Sequence, residues 1–129
     1  MATKRFPAAE AAYKKVTALA PGDFIAHFNL GGLYVVEDRW DDAVATFRKA
    51  QALNGNDARV PVVIGRILLR KGDLTGALQA AQQAIAVNPD MAEAHQTALE
   101  VFRAQGRTED AAKEAAILER LKERLKSRP

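Results

Sequence analysis

Hydrophobic positions recur along this chain in a pattern typical of paired amphipathic helices. The first apolar stripe, within residues 24–36, is formed by Leu30, Tyr34 and Val35. After a polar break at residues 37–39, a second stripe follows with spacings of i, i+4 and i+7 at Ala43, Phe47 and Ala50. The pattern therefore predicts two helices joined by a short turn.

The two-helix pattern repeats at a fixed interval. The loop residues Pro21, Gly55 and Pro89 lie at matching positions and are each 34 residues apart. Polar breaks containing Gly72 and Gly106 separate the two helices of the later units. Glycine adopts at little cost the left-handed conformation that ends a helix, so we expect helices to end at both glycines.

The residues after these glycines carry helix-start signals. Asp73 directly follows Gly72, and Thr108 lies two residues after Gly106. Aspartate and threonine side chains accept hydrogen bonds from the free N–H groups of a helix N-terminus. We therefore expect Asp73 and Thr108 to cap the helices that follow them.

The repeated positions resemble the signature of the tetratricopeptide repeat. The matching residues of the first full unit are Leu30, Gly31, Tyr34, Ala43, Phe47 and Ala50, and those of the second are Ile64, Gly65, Leu68, Gly72, Ala77, Ala84 and Pro89. The third unit keeps Phe102, Gly106 and Ala111. The resemblance implies an all-α fold, a right-handed α-solenoid of about three and a half helix-turn-helix repeats of 34 residues, with seven helices.

We expect residues 1–129 to form a single tetratricopeptide-repeat domain. In the region 4–22, the residues Ala9, Tyr13, Val16 and Pro21 match the lone second helix of a partial repeat. Full repeats are expected at 24–57, 58–91 and 92–126. The last of these carries an extended C-terminal capping helix, whose inner side is expected to hold Ile117, Leu118, Leu121 and Leu125.

Composition supports closely packed helices. Alanine accounts for 26 of the 129 residues and aromatic residues for only 6%. At the matching repeat positions, we expect Gly31, Gly65, Ala43, Ala77 and Ala111 to lie at the closest helix contacts. The chain has no cysteine, and Ser127 is its only serine. These absences remove the usual parts of nucleophilic catalysis and of thiolate metal sites. We therefore predict a protein that is not an enzyme and needs no cofactor.

Charge and hydropathy add little more. The net charge is +3, and no apolar run approaches the roughly 20 residues that span a bilayer. The N-terminus lacks the apolar core of a signal peptide. A cytoplasmic protein without a membrane partner is the default expectation.

The resemblance also implies a binding surface. In tetratricopeptide proteins, the first helices of successive repeats line a concave groove that holds an extended peptide or a partner helix. Carried over by position, the candidate groove residues of this chain are Phe28, Asn29, Arg59, Val62, Val63, Arg66, Arg70 and Glu100. The carboxylate clamp with which some members bind chaperone tails is broken here, because Val63 stands where an arginine is needed.

Three arginines are the most specific feature of this expected groove. Arg59, Arg66 and Arg70 have spacings of 7 and 4, which place them on one helical face. Guanidinium groups bind carboxylates through two parallel hydrogen bonds, so this face suits an acidic or C-terminal peptide. The alternative interpretation is a solvated charged surface.

Other polar residues indicate structure rather than a metal site. His27 and His95 occupy equivalent positions two repeats apart, too far for one metal ion, and are expected to pack. Trp40 and Phe47 are expected in the core. The cluster of Asp38, Asp41 and Asp42 lacks the glycine and the distal glutamate of a calcium loop. We therefore expect no metal site.

Two functions of different classes remain. The first is a non-catalytic protein–protein interaction module that binds an unknown protein or peptide with an acidic or apolar segment. The alternative is a structural scaffold that forms homo-oligomers through the unfinished edge of its N-terminal helix. A nucleic-acid partner is not expected, because Glu93 and Glu100 interrupt the basic groove.

Overall fold

The computed structural model describes residues 5–127 and contains only helices within that range. The helices are α1 (Pro7–Leu19), α2 (Phe24–Val36), α3 (Trp40–Leu53), α4 (Arg59–Arg70), α5 (Leu74–Val87), α6 (Ala92–Ala104) and α7 (Thr108–Lys126). The seven helices and the all-α class that the resemblance implies are confirmed for the described residues. The chain divides into two compact units, with α1–α3 before the boundary at Asn56 and Asp57 and α4–α7 after it.

In the first unit, α2 and α3 pack closely because Gly31 has no side chain. A Cβ atom at this position would lie 2.8 Å from the ring of Phe47. Phe47 is buried, as expected, and Ala43 on the same face of α3 is fully buried. Phe28 packs edge-on against Phe47, with ring centroids 5.7 Å apart. The small residues therefore let an aromatic core form between these two helices.

In the second unit, small residues bring α4 and α5 together. A Cβ atom at Gly65 would lie 3.3 Å from the carbonyl oxygen of Ala77, which is fully buried. A further buried cluster connects α5, α6 and α7 through Ala81, Ala98, Leu99, Phe102 and Ala111. The small residues expected at close contacts lie there in both units.

The turns between the two helices of a pair use left-handed backbone, as expected. Gly72 and Gly106 have φ angles of +84° and +71°. In the first unit, Asp38 takes the same role with a φ angle of +59°. Each turn therefore needs one residue in the region that glycine adopts most easily.

Only one of the two predicted N-caps forms. The side chain of Asp73 accepts a hydrogen bond from the backbone N–H of Gly76 at 2.9 Å. The prediction for Thr108 is wrong, because α7 already begins at that residue and Arg107 occupies the N-cap position without a side-chain cap. A hydroxyl inside the first turn no longer faces the free N–H groups that a cap satisfies.

The capping helix α7 has the expected length, but its last turn differs from the prediction. Ile117, Leu118 and Leu121 are partly buried, whereas Leu125 is 65% exposed. The predicted inward position of Leu125 is wrong because α7 has 19 residues and its antiparallel partner α6 has only 13. The last turn of α7 therefore runs past the start of α6.

Candidate functional site

Side chains of α4, α6 and α7 line a cavity of about 500 Å³ in the second unit. We call it the α4–α6 groove. Its lining residues are Arg66, Leu69 and Arg70 from α4, Ala92, Glu93, Gln96, Thr97 and Glu100 from α6, and Leu118 from α7. Three of the predicted site residues, Arg66, Arg70 and Glu100, thus lie around one groove.

The two sides of the groove carry opposite charges, positive on α4 and negative on α6. Arg66 and Arg70 are exposed and lie one helical turn apart on α4. Glu93 and Glu100 are exposed on α6, and Glu100 accepts a hydrogen bond from the side chain of Gln96 at 3.3 Å. The groove can therefore meet a carboxylate on one side and a cation on the other.

Arg59 lies outside this groove and pairs locally. Its Nε donates to Asp57 Oδ1 at 2.9 Å, and its Nη2 forms an ion pair with the same carboxylate. The hydrogen bond from Arg59 lowers the pKa of the Asp57 carboxyl below its ordinary value of 3.8. The structure therefore brings two of the three predicted arginines to the α4–α6 groove, and holds the third beside its own helix start.

The two valines of α4 that were predicted as site residues, Val62 and Val63, do not line the groove either. Val62 is 5% exposed and packs with Ala84 and Ala94 in the core of the second unit. Val63 is partly buried. Val62 is thus a core residue that holds the α4 backbone in place, and its side chain offers little surface to a partner.

The remaining predicted residues belong to α2 of the first unit. Phe28 is partly buried and stacks on Phe24, with ring centroids 5.7 Å apart. Asn29 is exposed next to it. Phe28 therefore serves mainly as part of the aromatic core, whereas the amide of Asn29 is accessible to solvent.

The two histidines bind neighbouring loops. His27 Nε2 lies 3.0 Å from the carbonyl oxygen of Pro21, and His95 Nε2 lies 2.7 Å from that of Pro89. His95 Nδ1 also lies 2.7 Å from the Glu114 carboxylate of α7. Both side chains are buried and join a loop to the helix that follows it. Within residues 5–127, no group of three or more His, Asp or Glu side chains is arranged to hold a metal ion.

A second, smaller cavity was not predicted from the sequence. Its volume is about 180 Å³, and its lining residues are Asp90, Ala92, Leu121, Arg124 and Leu125. We call it the α7 cavity. The sequence signal that could have indicated this cavity was the i, i+4 spacing of Leu121 and Leu125 on a helix six residues longer than its partner (19 against 13).

No helix in the described part of the chain combines the length and the apolar character that crossing a bilayer requires.

Comparison with known proteins identifies the family. The sequence profile of the tetratricopeptide repeat matches residues 1–58 and 62–122, which is most of the chain. The chain therefore belongs to the tetratricopeptide repeat family, as its repeated positions predicted. No curated protein matches it significantly in sequence.

Solved structures share the fold. A crystal structure of MamA is 22% identical, with a TM-score of 0.89, and the match covers 93% of this chain and 70% of that one. A second MamA structure is 25% identical, with a TM-score of 0.83 and coverage of 88% and 62%. The structure of YrrB, described as a tetratricopeptide repeat protein with an unusual peptide-binding site, is 23% identical, with a TM-score of 0.79 and coverage of 89% and 59%. These likenesses confirm the α-solenoid class of fold.

Proposed function

We propose that this chain is a non-catalytic protein-interaction module that binds an extended or helical peptide segment of a partner in the α4–α6 groove. The observation that carries the proposal is the pair Arg66 and Arg70, which faces the same groove as Glu93 and Glu100. A partner segment with an acidic residue can meet the two arginines. The acidic wall then disfavours a second carboxylate on the opposite side and so sets the orientation of the segment.

The chemistry of the lining suits a peptide better than a small substrate. Leu69, Ala92 and Leu118 add apolar surface to the same groove, so a bound segment also buries hydrophobic side chains. The charged walls supply orientation and a faster association. The absence of cysteine and the position of the single serine, Ser127, support the non-catalytic assignment.

The other predicted residues have different parts in this proposal. Arg59 and Val63 of α4 remain candidate contacts outside the groove, and Asn29 and the half-buried Phe28 remain candidate contacts of the first unit taken by itself. Val62 supports the groove from the core. The description of YrrB as having a peptide-binding site supports peptide binding only through the shared fold, because the two chains are 23% identical.

The test is retention of partners from a lysate of the source organism by immobilised protein. The variant Arg66→Glu/Arg70→Glu reverses the basic wall, and Arg48→Glu/Lys49→Glu on α3 makes the same charge change at exposed positions of the first unit. We expect the first variant to lose a protein that the wild type and the second variant both retain. Added salt should weaken the same retention, because exposed charges are screened.

Equal retention by all three proteins would contradict the groove assignment. Equal loss by both variants would show that net charge, rather than the groove, decides binding. Circular dichroism of both variants checks that the exposed substitutions leave the helices intact.

A second candidate function, self-assembly through α1, is favoured by one specific observation. Val16 of α1 is 44% exposed, whereas Ala50, which lies 34 residues later at the equivalent position of α3, is fully buried. Tyr13 is likewise only partly buried, and its equivalent Phe47 is buried. In the described residues, α1 thus leaves exposed a helix face whose equivalent on α3 is buried.

Sedimentation velocity across a range of concentrations tests this second candidate. If α1 mediates assembly, Leu19→Asp on its exposed face should abolish a dimer or larger species. Leu53→Asp on α3 is the control, since both leucines are exposed. A wild type that stays monomeric at all concentrations removes this function from consideration.

A further inference from the structure

The α7 cavity lies at the end of the C-terminal helix, where apolar side chains are left uncovered. Leu121 is partly buried and Leu125 is 65% exposed, and both line the cavity with Ala92. The last turn of α7 therefore places most of the Leu125 side chain in contact with solvent. Surface leucines occur singly in many proteins, but here the leucine borders a cavity.

Ala92 connects the α7 cavity with the α4–α6 groove. This first residue of α6 lines both cavities. Leu118, which lines the groove, lies one helical turn before Leu121, which lines the α7 cavity. An apolar strip of α7 therefore continues from one cavity to the other, and a single bound segment can occupy both.

The size of the α7 cavity matches one large side chain. Its volume is about 180 Å³. An engineered protein cavity of about 150 Å³ accommodates a benzene ring. The α7 cavity therefore has room for the side chain of one leucine, methionine or phenylalanine, but not for a longer apolar stretch.

The charged residues at the α7 cavity neutralise each other. Arg124 donates to both carboxylate oxygens of Asp90, at 3.2 and 3.3 Å. The two opposite charges offset each other, so the lining residues of the cavity carry no net charge. The cavity therefore selects an apolar side chain, in contrast to the charged walls of the groove.

We propose that the α7 cavity is an apolar subsite for the same partner segment that the α4–α6 groove binds. The segment places an acidic residue against Arg66 and Arg70 and one large apolar residue against Leu121 and Leu125. This inference rests on the proposed peptide-binding function, and adds to it the second chemical requirement that the partner must meet.

Selection from a phage-displayed library of random peptides on the purified full chain tests the inference. Four proteins are compared: the wild type, Leu125→Ser, Arg66→Glu/Arg70→Glu, and the control Leu53→Ser. Leu125 and Leu53 are both exposed, so neither serine variant should disturb the fold. The peptides that the wild type enriches should contain an acidic residue together with one large apolar residue.

The variants separate the two requirements. Leu125→Ser should lose the apolar preference and keep the acidic one, whereas Arg66→Glu/Arg70→Glu should lose the acidic preference. Leu53→Ser should enrich the same peptides as the wild type. In calorimetric titration with an enriched peptide, Leu125→Ser should weaken binding about tenfold, which corresponds to partial burial of one apolar side chain.

Each other outcome contradicts either the α7 subsite alone or the proposed function as a whole. Acidic peptides without an apolar preference, or peptides that bind Leu125→Ser as well as wild type, would refute the α7 subsite and leave the groove standing. Peptides unaffected by Arg66→Glu/Arg70→Glu, or no enrichment at all, would refute the proposed function and the subsite with it. A wild-type dimer that Leu125→Ser dissociates would show that a second copy fills the cavity, and would also refute the inference.

Discussion

Arg39 Nη1 donates to Glu10 Oε1 at 2.6 Å, and so joins α1 to the turn between α2 and α3. The same guanidinium group lies 3.3 Å from a carboxylate oxygen of Glu37 and donates to Asp42 at 3.0 Å. It also lies over the ring of Tyr34, 4.5 Å from the centroid. The side chain of Glu37 is fully buried and that of Asp42 is half exposed, so this charged cluster extends from the core to the surface. The attachment of α1 therefore depends on ion pairs as well as on apolar packing.

Arg39→Met tests this dependence. The methionine keeps an apolar side chain on Tyr34 but removes the nearer of two guanidinium groups beside the buried Glu37, the other being that of Arg5 at 3.8 Å. Removing one partner of a buried ion pair costs about 3–5 kcal/mol. Glu37 still accepts a hydrogen bond from the backbone N–H of Phe6 at 2.7 Å. We therefore expect the free energy of unfolding to fall by an amount at the lower end of this range. Urea unfolding followed by circular dichroism measures the change in the free energy of unfolding.

The matched control is Arg107→Met in the third repeat. Arg107 lies 4.5 Å from the centroid of Phe102 and pairs with Asp110 at 2.9 Å, as Arg39 does with Tyr34 and Asp42. Gln105 stands 68 residues after Glu37, so no buried carboxylate occupies that place. We expect a loss of about 0.5–1 kcal/mol, typical of exposed ion pairs. Equal losses for the two variants would contradict a special role of the buried cluster.

Acid should weaken the attachment of α1 through Glu10. The hydrogen bond from Lys14, followed by the attraction of Arg39, holds the pKa of the Glu10 carboxyl below its ordinary value of 4.5. A carboxyl with a lowered folded-state pKa stabilises the fold above its unfolded-state pKa, and this contribution disappears as the pH falls through the folded-state pKa. The stability difference between wild type and Glu10→Gln should thus be largest above pH 4.5 and shrink below it.

Urea unfolding of both proteins at a series of pH values measures this difference. Glu119→Gln is the control, because that side chain is 69% exposed on α7. The control should follow the wild type at every pH. A difference between wild type and Glu10→Gln that grows on acidification would have the wrong sign for this cluster.

Two adjacent glycines of α2 should respond oppositely to alanine. A Cβ atom at Gly31 would lie 2.8 Å from the buried Phe47 ring, whereas one at Gly32 would meet no atom within 4 Å. Overpacking typically costs about 1–3 kcal/mol, so Gly31→Ala should lower the melting temperature. Gly32→Ala should raise it, because alanine favours a helix over glycine by about 1 kcal/mol. Calorimetric melting of both variants decides the matter, and a shift in the same direction would contradict this packing of α2 on α3.

The helices could be predicted from the sequence because their signals are local. Apolar stripes such as Ala43, Phe47 and Ala50 repeat at helical spacing, and the left-handed glycines Gly72 and Gly106 end the preceding helices. The family resemblance also placed small residues at helix contacts. Each of these signals depends only on the order of residues within one repeat.

The site was harder to predict because it depends on contacts that spacing does not determine. The spacing of Arg59 and Arg66 shows that they share a helix face. It does not show that the side chain of Arg59 pairs with Asp57. The amphipathic pattern of α7 likewise does not show where α6 begins, so Leu125 was assigned to the inner side. The pair of Glu10 and Arg39 joins residues 29 positions apart and has no local signal.

Asp38 is the one left-handed residue other than glycine in the described chain, and its φ angle of +59° should make it a site for stabilisation. The equivalent turns carry Gly72 and Gly106, where an added Cβ would meet no atom within 4 Å. A left-handed conformation costs an ordinary residue about 1–2 kcal/mol, and aspartate somewhat less. Asp38→Gly removes this strain but increases the freedom of the unfolded chain, so we expect a net gain of about 0.5 kcal/mol. In urea unfolding, Gly106→Asp should lower the free energy of unfolding by a similar amount. If Asp38→Gly also lowers the free energy of unfolding, the aspartate side chain contributes more stability than the strain costs.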